Sequence, residues 1–61
     1  MSRGTYLVRY IIVYSDGQRT TTEQSLNLEG ASESLAIDTL RRQGSAPKDA
    51  NYIIINMQKI S

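Results

Sequence analysis

The chain of 61 residues contains neither cysteine nor histidine. The absence of cysteine excludes disulfide bonds and thiolate metal sites, and the absence of histidine removes the usual zinc, iron and copper ligand sets together with the commonest general base. No stretch approaches the ~20 consecutive apolar residues of a membrane span. The start of the chain, MSRGTYLV, lacks the small-residue cleavage pattern of a signal peptide. We therefore expect a cytoplasmic protein with no metal and no cofactor.

The small size of the chain limits its stability. We expect a single domain over residues 1–61, and a chain of this length buries only about 60% of its unfolded surface. Small domains commonly gain stability from disulfides, a metal or a partner chain. Only the partner chain remains available here, so the sequence favours an oligomer.

Neither the charged residues nor the glycines of the chain form a pattern that marks a binding or catalytic site. Seven basic and six acidic residues give a net charge of +1, which is not typical of a strong nucleic-acid binder. No two carboxylates have a spacing that brings them together, and the four glycines punctuate elements without forming a phosphate loop. A chain this short also has little room for a ligand pocket. We expect no enzymatic activity.

The pattern along the chain predicts an α+β fold of the β-β-α-β type. The stretch YLVRYIIVY lies in a first predicted strand over Thr5–Tyr14, and Asp-Gly in SDGQ predicts a type I′ hairpin turn into a second strand over Arg19–Leu28. A helix is expected from the N-cap Ser32 to a left-handed Gly44, and a third strand over Asn51–Ile60.

The connections predict how these elements are arranged. The hairpin makes the first two strands antiparallel, and a helical crossover makes the third strand parallel to the second. The simplest arrangement is a three-stranded antiparallel sheet in the order 2-1-3, with the helix packed on one face. Strict alternation then assigns one set of side chains to the face covered by the helical residues Ala36, Ile37 and Leu40. That set is Tyr6, Val8, Tyr10, Ile12, Leu26, Leu28, Ile53, Ile55 and Met57.

The opposite face raises the question of what covers it. Because one short helix covers only one side of the sheet, alternation predicts an apolar patch on the other, formed by Leu7, Ile11, Val13, Tyr52 and Ile54. The reverse assignment, with the tyrosines outside, leaves a similar patch. We expect these residues to form the interface of a homodimer, made face to face or by extending the sheet along the third strand. A heterologous protein partner and a plain monomer surface are the alternatives.

A second hypothesis uses the cations of the same sheet. An exposed sheet that carries arginine and tyrosine, here Tyr52, can enter a major groove or stack single-stranded bases. The sequence offers Arg9, Arg19 and Lys59 for this role, and Arg41, Arg42 and Lys48 near the helix end. The helical arginines are also explained by favourable placement at a helix C-terminus.

Three segments of the chain resemble a group of known proteins. YLVRYIIVYSDGQRTTTEQ, ASESLAIDTLRRQGSAP and NYIIINMQKI together are similar to small uncharacterised β-β-α-β proteins of bacteria and their phages. The helix in that group often has Ala-Ile followed three residues later by Leu, as in Ala36, Ile37 and Leu40. The resemblance suggests a small accessory protein of phage or prophage origin that binds another protein, and it carries no catalytic or binding residue.

Overall fold

A computed structural model of the chain describes residues 3–44 and 46–61. Its elements are β1 (Gly4–Val13), β2 (Arg19–Leu28), α1 (Glu33–Gln43) and β3 (Asn51–Lys59). The β-β-α-β order is confirmed, and the element bounds lie close to those that the sequence predicts.

The three strands form one antiparallel sheet in the order β2-β1-β3. Helix α1 packs against β2 and β3 from the same side and so spans β1. The most apolar strand occupies the centre, where both of its edges are paired. The predicted topology is therefore confirmed.

The hairpin between β1 and β2 closes at Asp16-Gly17, but not through the predicted type I′ turn. That turn requires positive φ at two consecutive residues, whereas no described residue other than glycine has positive φ. The backbone N–H of Tyr14 donates to the carbonyl of Gln18 (2.8 Å), and that of Gly17 donates to the carbonyl of Tyr14 (2.9 Å). The loop thus has the three residues 15–17. The Asp16 carboxylate stabilises it by accepting from the Gln18 N–H at 3.0 Å.

Both ends of α1 are formed as the sequence predicts. The Ser32 hydroxyl accepts from the backbone N–H of Leu35 at 3.5 Å. Gly44 has φ 69°, in the left-handed region, and its N–H donates to the carbonyl of Arg41 at 3.2 Å. An acidic first turn and a basic last turn complement the helix dipole.

The core lies between α1 and one face of the sheet. From the helix it takes Ala36 and Leu40, both fully buried, with Ile37 partly buried beside them. The chain between α1 and β3 adds Ala50, which sequence reasoning missed because a single alanine in a loop gives no periodic signal. The remaining buried side chains come from the sheet: Tyr6, Val8, Tyr10, Ile12, Leu26, Leu28 and Tyr52.

A β-bulge interrupts β3. Arg9 pairs with Asn56 but the next residue, Tyr10, pairs with Ile54, so Ile55 has no partner on β1. One extra residue reverses the alternation of every side chain on the far side of the bulge. Ile55 itself, which alternation assigned to the covered face, is 48% exposed.

The bulge overturns the predicted face assignment for the first half of β3. Tyr52 is buried in the core, and Ile54 packs against it from the same side. Ile53 lies on the opposite side and is 48% exposed. Strict alternation assigned these three residues to the wrong faces because it allows no inserted residue. Met57, beyond the bulge, lies on the covered side as predicted.

The molecule has two layers. Its principal extents are 36 × 18 × 14 Å, and the longest matches strands of ten residues at about 3.3 Å per residue. The shortest leaves room for the sheet and α1 but for no third layer. The side of the sheet opposite α1, here called the open face, therefore has no covering element among the described residues.

Candidate interaction surface

The open face is more polar than the sequence suggests. Along the centre it carries Leu7, Arg9, Ile11 and Val13 from β1. The flanking positions are mostly polar: Arg19, Thr21, Glu23 and Ser25 on β2, and Asn51, Asn56 and Gln58 on β3. The three aliphatic side chains of β1 are half-buried among these neighbours.

Aliphatic side chains gather at one corner of the open face. Ile53 of β3 lies directly opposite Ile11, and Val13 is two residues further along the same face. Ile55 follows at the bulge, and both β3 isoleucines are 48% exposed. We call Ile11, Val13, Ile53 and Ile55 the β3 corner. It combines half-buried and exposed aliphatic surface with the free backbone edge of β3.

Three of the five predicted interface residues do not belong to the β3 corner. Tyr52 and Ile54 point toward α1, and Leu7 is separated from the β3 corner by a charged pair. The structure brings together only Ile11 and Val13 of the predicted set. Ile53 and Ile55, the other two residues of the β3 corner, are ones that strict alternation assigns to the covered face. The apolar run YIII offered four candidates without indicating which of them a bulge would turn outward.

Arg9 and Glu23 form the charged pair at the middle of the open face. Arg9 Nε lies 3.8 Å from Glu23 Oε2, and the side chains are 58% and 48% exposed. Exposed pairs at this distance stabilise a fold by at most about 1 kcal/mol. The pair divides the aliphatic side chains of β1 into Leu7 at one end and the β3 corner at the other.

The three cations of the nucleic-acid hypothesis do not form one surface. Arg9 and Arg19 share the open face, but the guanidinium of Arg9 is already beside Glu23. Lys59 lies opposite Tyr6, on the side of the sheet that carries the core, at the far end from Arg19. Because phosphate binding depends on several cations acting together, this arrangement gives the hypothesis no specific support.

A cleft of about 310 Å³ lies at the C-terminal end of α1. Arg41 lines the cleft, with its guanidinium 5.3 Å from the centroid of the Tyr52 ring. Arg41 Nη1 also donates to the carbonyl of Ala50 at 3.3 Å. The other described residues that line the cleft are Gly44, Ala46, Pro47 and Lys48.

Tyr10 connects the sheet to the helix through side chains. Its hydroxyl donates to Gln24 Oε1 at 3.2 Å, and Gln24 Nε2 donates to Gln43 Oε1 at 2.9 Å. Burial raises the pKa of the Tyr10 hydroxyl, and the nearby Tyr52 raises it further. The two hydrogen bonds link β1, β2 and α1. Because the pKa of Tyr10 is raised in the folded chain, the stability of the fold falls at high pH.

A second raised pKa belongs to Arg42, on the exposed side of α1. Arg42 donates to the carboxylate of Asp38 one turn earlier, and that hydrogen bond raises the pKa of Arg42. No group of three acidic side chains that could hold a metal ion occurs in the part of the chain that the structure describes. Within the same residues no helix has the length and apolar character to cross a membrane.

No protein-family model, no curated protein and no solved structure matches the chain. The resemblance to phage-type β-β-α-β proteins stays a prediction.

Proposed function

We propose that the protein is a non-enzymatic interaction protein that forms a homodimer through the β3 corner. The observation that supports this is the position of Ile53 and Ile55, which expose about half of their surface beside an unpaired strand edge. Exposed apolar edges are sites of strand pairing and of association, and proteins usually protect them with proline, inward charge or a bulge. Strand β3 has no proline and its one charged residue is Lys59 at its end, while its bulge leaves Ile53 and Ile55 exposed.

The two edges of the sheet differ in a way that favours β3. The edge strand β2 has the sequence RTTTEQSLNL, so its exposed middle is hydroxyl, carboxylate and amide. The edge strand β3 has three consecutive isoleucines. A second copy placed against β3 covers aliphatic surface, whereas one placed against β2 would desolvate polar groups.

A second copy of this chain is the partner that the surface fits best. A two-fold axis beside β3 places Ile53 and Ile55 of one copy near those of the other, so each aliphatic surface meets a like surface. The Arg9–Glu23 pair carries no net charge, so this pair adds no repulsion when two open faces approach each other.

The size of the surface predicts a weak dimer. Ten-residue strands at 3.3 Å per residue and three strands about 4.8 Å apart give a face of roughly 450 Å² in plan. Stable interfaces bury about 800 Å² per partner. We therefore expect a dissociation constant between about 10 µM and 1 mM.

A pair of lysine substitutions tests the proposal. Ile53→Lys introduces a charge into the β3 corner and is expected to leave the chain monomeric in sedimentation equilibrium at about 1 mM, a concentration at which the proposed dimer is populated. Leu35→Lys makes the same change at a residue that is 38% exposed on α1, away from the open face, and is expected to dimerise like the unmodified chain. Equal behaviour of the two variants would refute the β3 corner as the contact.

Amide hydrogen exchange then distinguishes how the two copies meet. If β3 pairs with β3 of the partner, its outward N–H groups become protected as the concentration rises. If the copies pack face to face, those N–H groups stay unprotected while the side chains of Ile11 and Val13 lose contact with water. Both results support the homodimer, and each selects one of the two expected geometries.

A further inference from the structure

We propose that the cleft at the C-terminal end of α1 binds a small aryl phosphate. The cleft lies beside Tyr52 on the helix side of the sheet, so this inference is independent of the proposed homodimer. The cleft volume of about 310 Å³ is at the lower end of the range for small-molecule sites.

The positive charges that line the cleft favour the binding of an anion. Arg41 and Lys48 both contribute to its wall, and no acidic side chain is among the described residues that line it. Neither cation has a carboxylate within ion-pair distance in the described chain, whereas the neighbouring Arg42 is paired with Asp38. Two uncompensated cations at one cleft attract an anion more strongly than either does alone.

Arg41 is held in place before any ligand arrives. Its guanidinium lies over the ring of Tyr52 (5.3 Å), and one nitrogen donates to the carbonyl of Ala50 (3.3 Å). A guanidinium has further N–H donors in a fixed fork, which match the oxygens of a phosphate in a bidentate manner. Because the side chain is already ordered, less conformational entropy is lost when the phosphate binds.

The rest of the lining accounts for the aryl group. Ala46, Pro47 and the ring of Tyr52 give the cleft an apolar wall next to the two cations. Proline and tyrosine present flat, rigid surfaces on which an aromatic ring packs well. The ligand that suits both parts is therefore a phosphate attached directly to a ring.

Phenyl phosphate is the probe for this site. Inorganic phosphate and phenol, which each carry one part of that molecule, are the control ligands. In an NMR titration of the isotope-labelled chain, we expect saturable shifts at Lys48 and Tyr52, with a dissociation constant of about 1–10 mM. We expect inorganic phosphate and phenol to bind at least about 5-fold more weakly. The absence of saturation at about 20 mM phenyl phosphate, or equal binding of inorganic phosphate, contradicts the proposal.

Two arginines one position apart provide the matched control. Arg41→Gln is expected to weaken binding at least about 5-fold, and Arg42→Gln, which removes the same charge outside the cleft, less than about 2-fold. Equal losses of affinity in the two variants would show that the ligand responds to net charge alone, and this result would contradict the proposed site.

A second variant is needed because Arg41 also contacts Tyr52 and Ala50. If Arg41→Gln does not fold, Lys48→Gln serves in its place. Lys48 is exposed, and its replacement is expected to weaken binding about 3-fold, while unchanged binding contradicts the proposal.

Discussion

Gly44 shows how much of the stability of this small fold depends on single residues. Its φ of 69° is a conformation that glycine adopts freely and that costs other L-residues about 1–2 kcal/mol. A Cβ added there would meet no atom within 4 Å, so a substitution is not penalised by a steric clash. A substitution at Gly44 is therefore penalised through its backbone conformation and not through packing.

Gly44→Ala is accordingly expected to lower the free energy of unfolding by about 1 kcal/mol. Gly30→Ala is the control, because a Cβ there lies 4.0 Å from Leu35 Cδ1, an ordinary contact, and Gly30 does not have positive φ. Urea unfolding at 25 °C measures both. A Gly44→Ala variant as stable as the Gly30→Ala variant contradicts the assigned role of the left-handed C-cap.

Tyr10 makes stability depend on pH at the alkaline end. Burial, together with Tyr52, raises the pKa of the Tyr10 hydroxyl above its ordinary value of 10.0 in the folded chain. As the pH rises past about 10, the unfolded chain loses this proton before the folded chain does, so the folded state is progressively disfavoured. Its contribution to stability is thus present below about pH 10 and is lost as the pH rises through the folded-state value.

Tyr10→Phe is expected to reduce this alkaline loss of stability, measured as the urea midpoint at steps between about pH 8 and 11. Tyr14→Phe, at a half-buried tyrosine at the edge of the core, provides the comparison. An unchanged alkaline slope in Tyr10→Phe would show that the tyrosine does not couple to folding.

At the scale of the element, the bulge in β3 determines which of its side chains are exposed to solvent and which are buried. The helix with its two caps and the position of the hairpin follow from local patterns, such as Ser32 before the helix and Gly44 after it, and the strand order follows from the connections between the elements. The bulge at Ile55 does not, because it depends on how two strands align in three dimensions. Strict alternation therefore places Tyr52, Ile53 and Ile54 on the wrong faces, and with them part of the candidate site.

The adjacent residues Ile53 and Ile54 test the bulge directly. Ile54 packs against the core while Ile53 is 48% exposed. Ile54→Ala is expected to cost about 2 kcal/mol of unfolding free energy and Ile53→Ala less than about 1 kcal/mol, both measured at low micromolar concentration where the monomer dominates. The reverse order would restore strict alternation and remove Ile53 from the β3 corner.

At the scale of the whole molecule, two layers leave one face of a three-stranded sheet without cover in the described chain. The polar positions of β2 and the Arg9–Glu23 pair make most of that face compatible with water. The aliphatic remainder is concentrated at the β3 corner. Both the small size of this surface and its position beside an open strand edge indicate a weak, reversible dimer.

The measurement that tests this account most directly is the mass of the unmodified chain in sedimentation equilibrium as its concentration rises. We predict a weight-average mass of 6.8 kDa at low concentration that rises to between about 1.5 and 1.9 times that value near about 1 mM, as the expected dissociation constant requires. A mass that stays at 6.8 kDa over the whole range would contradict the proposed homodimer.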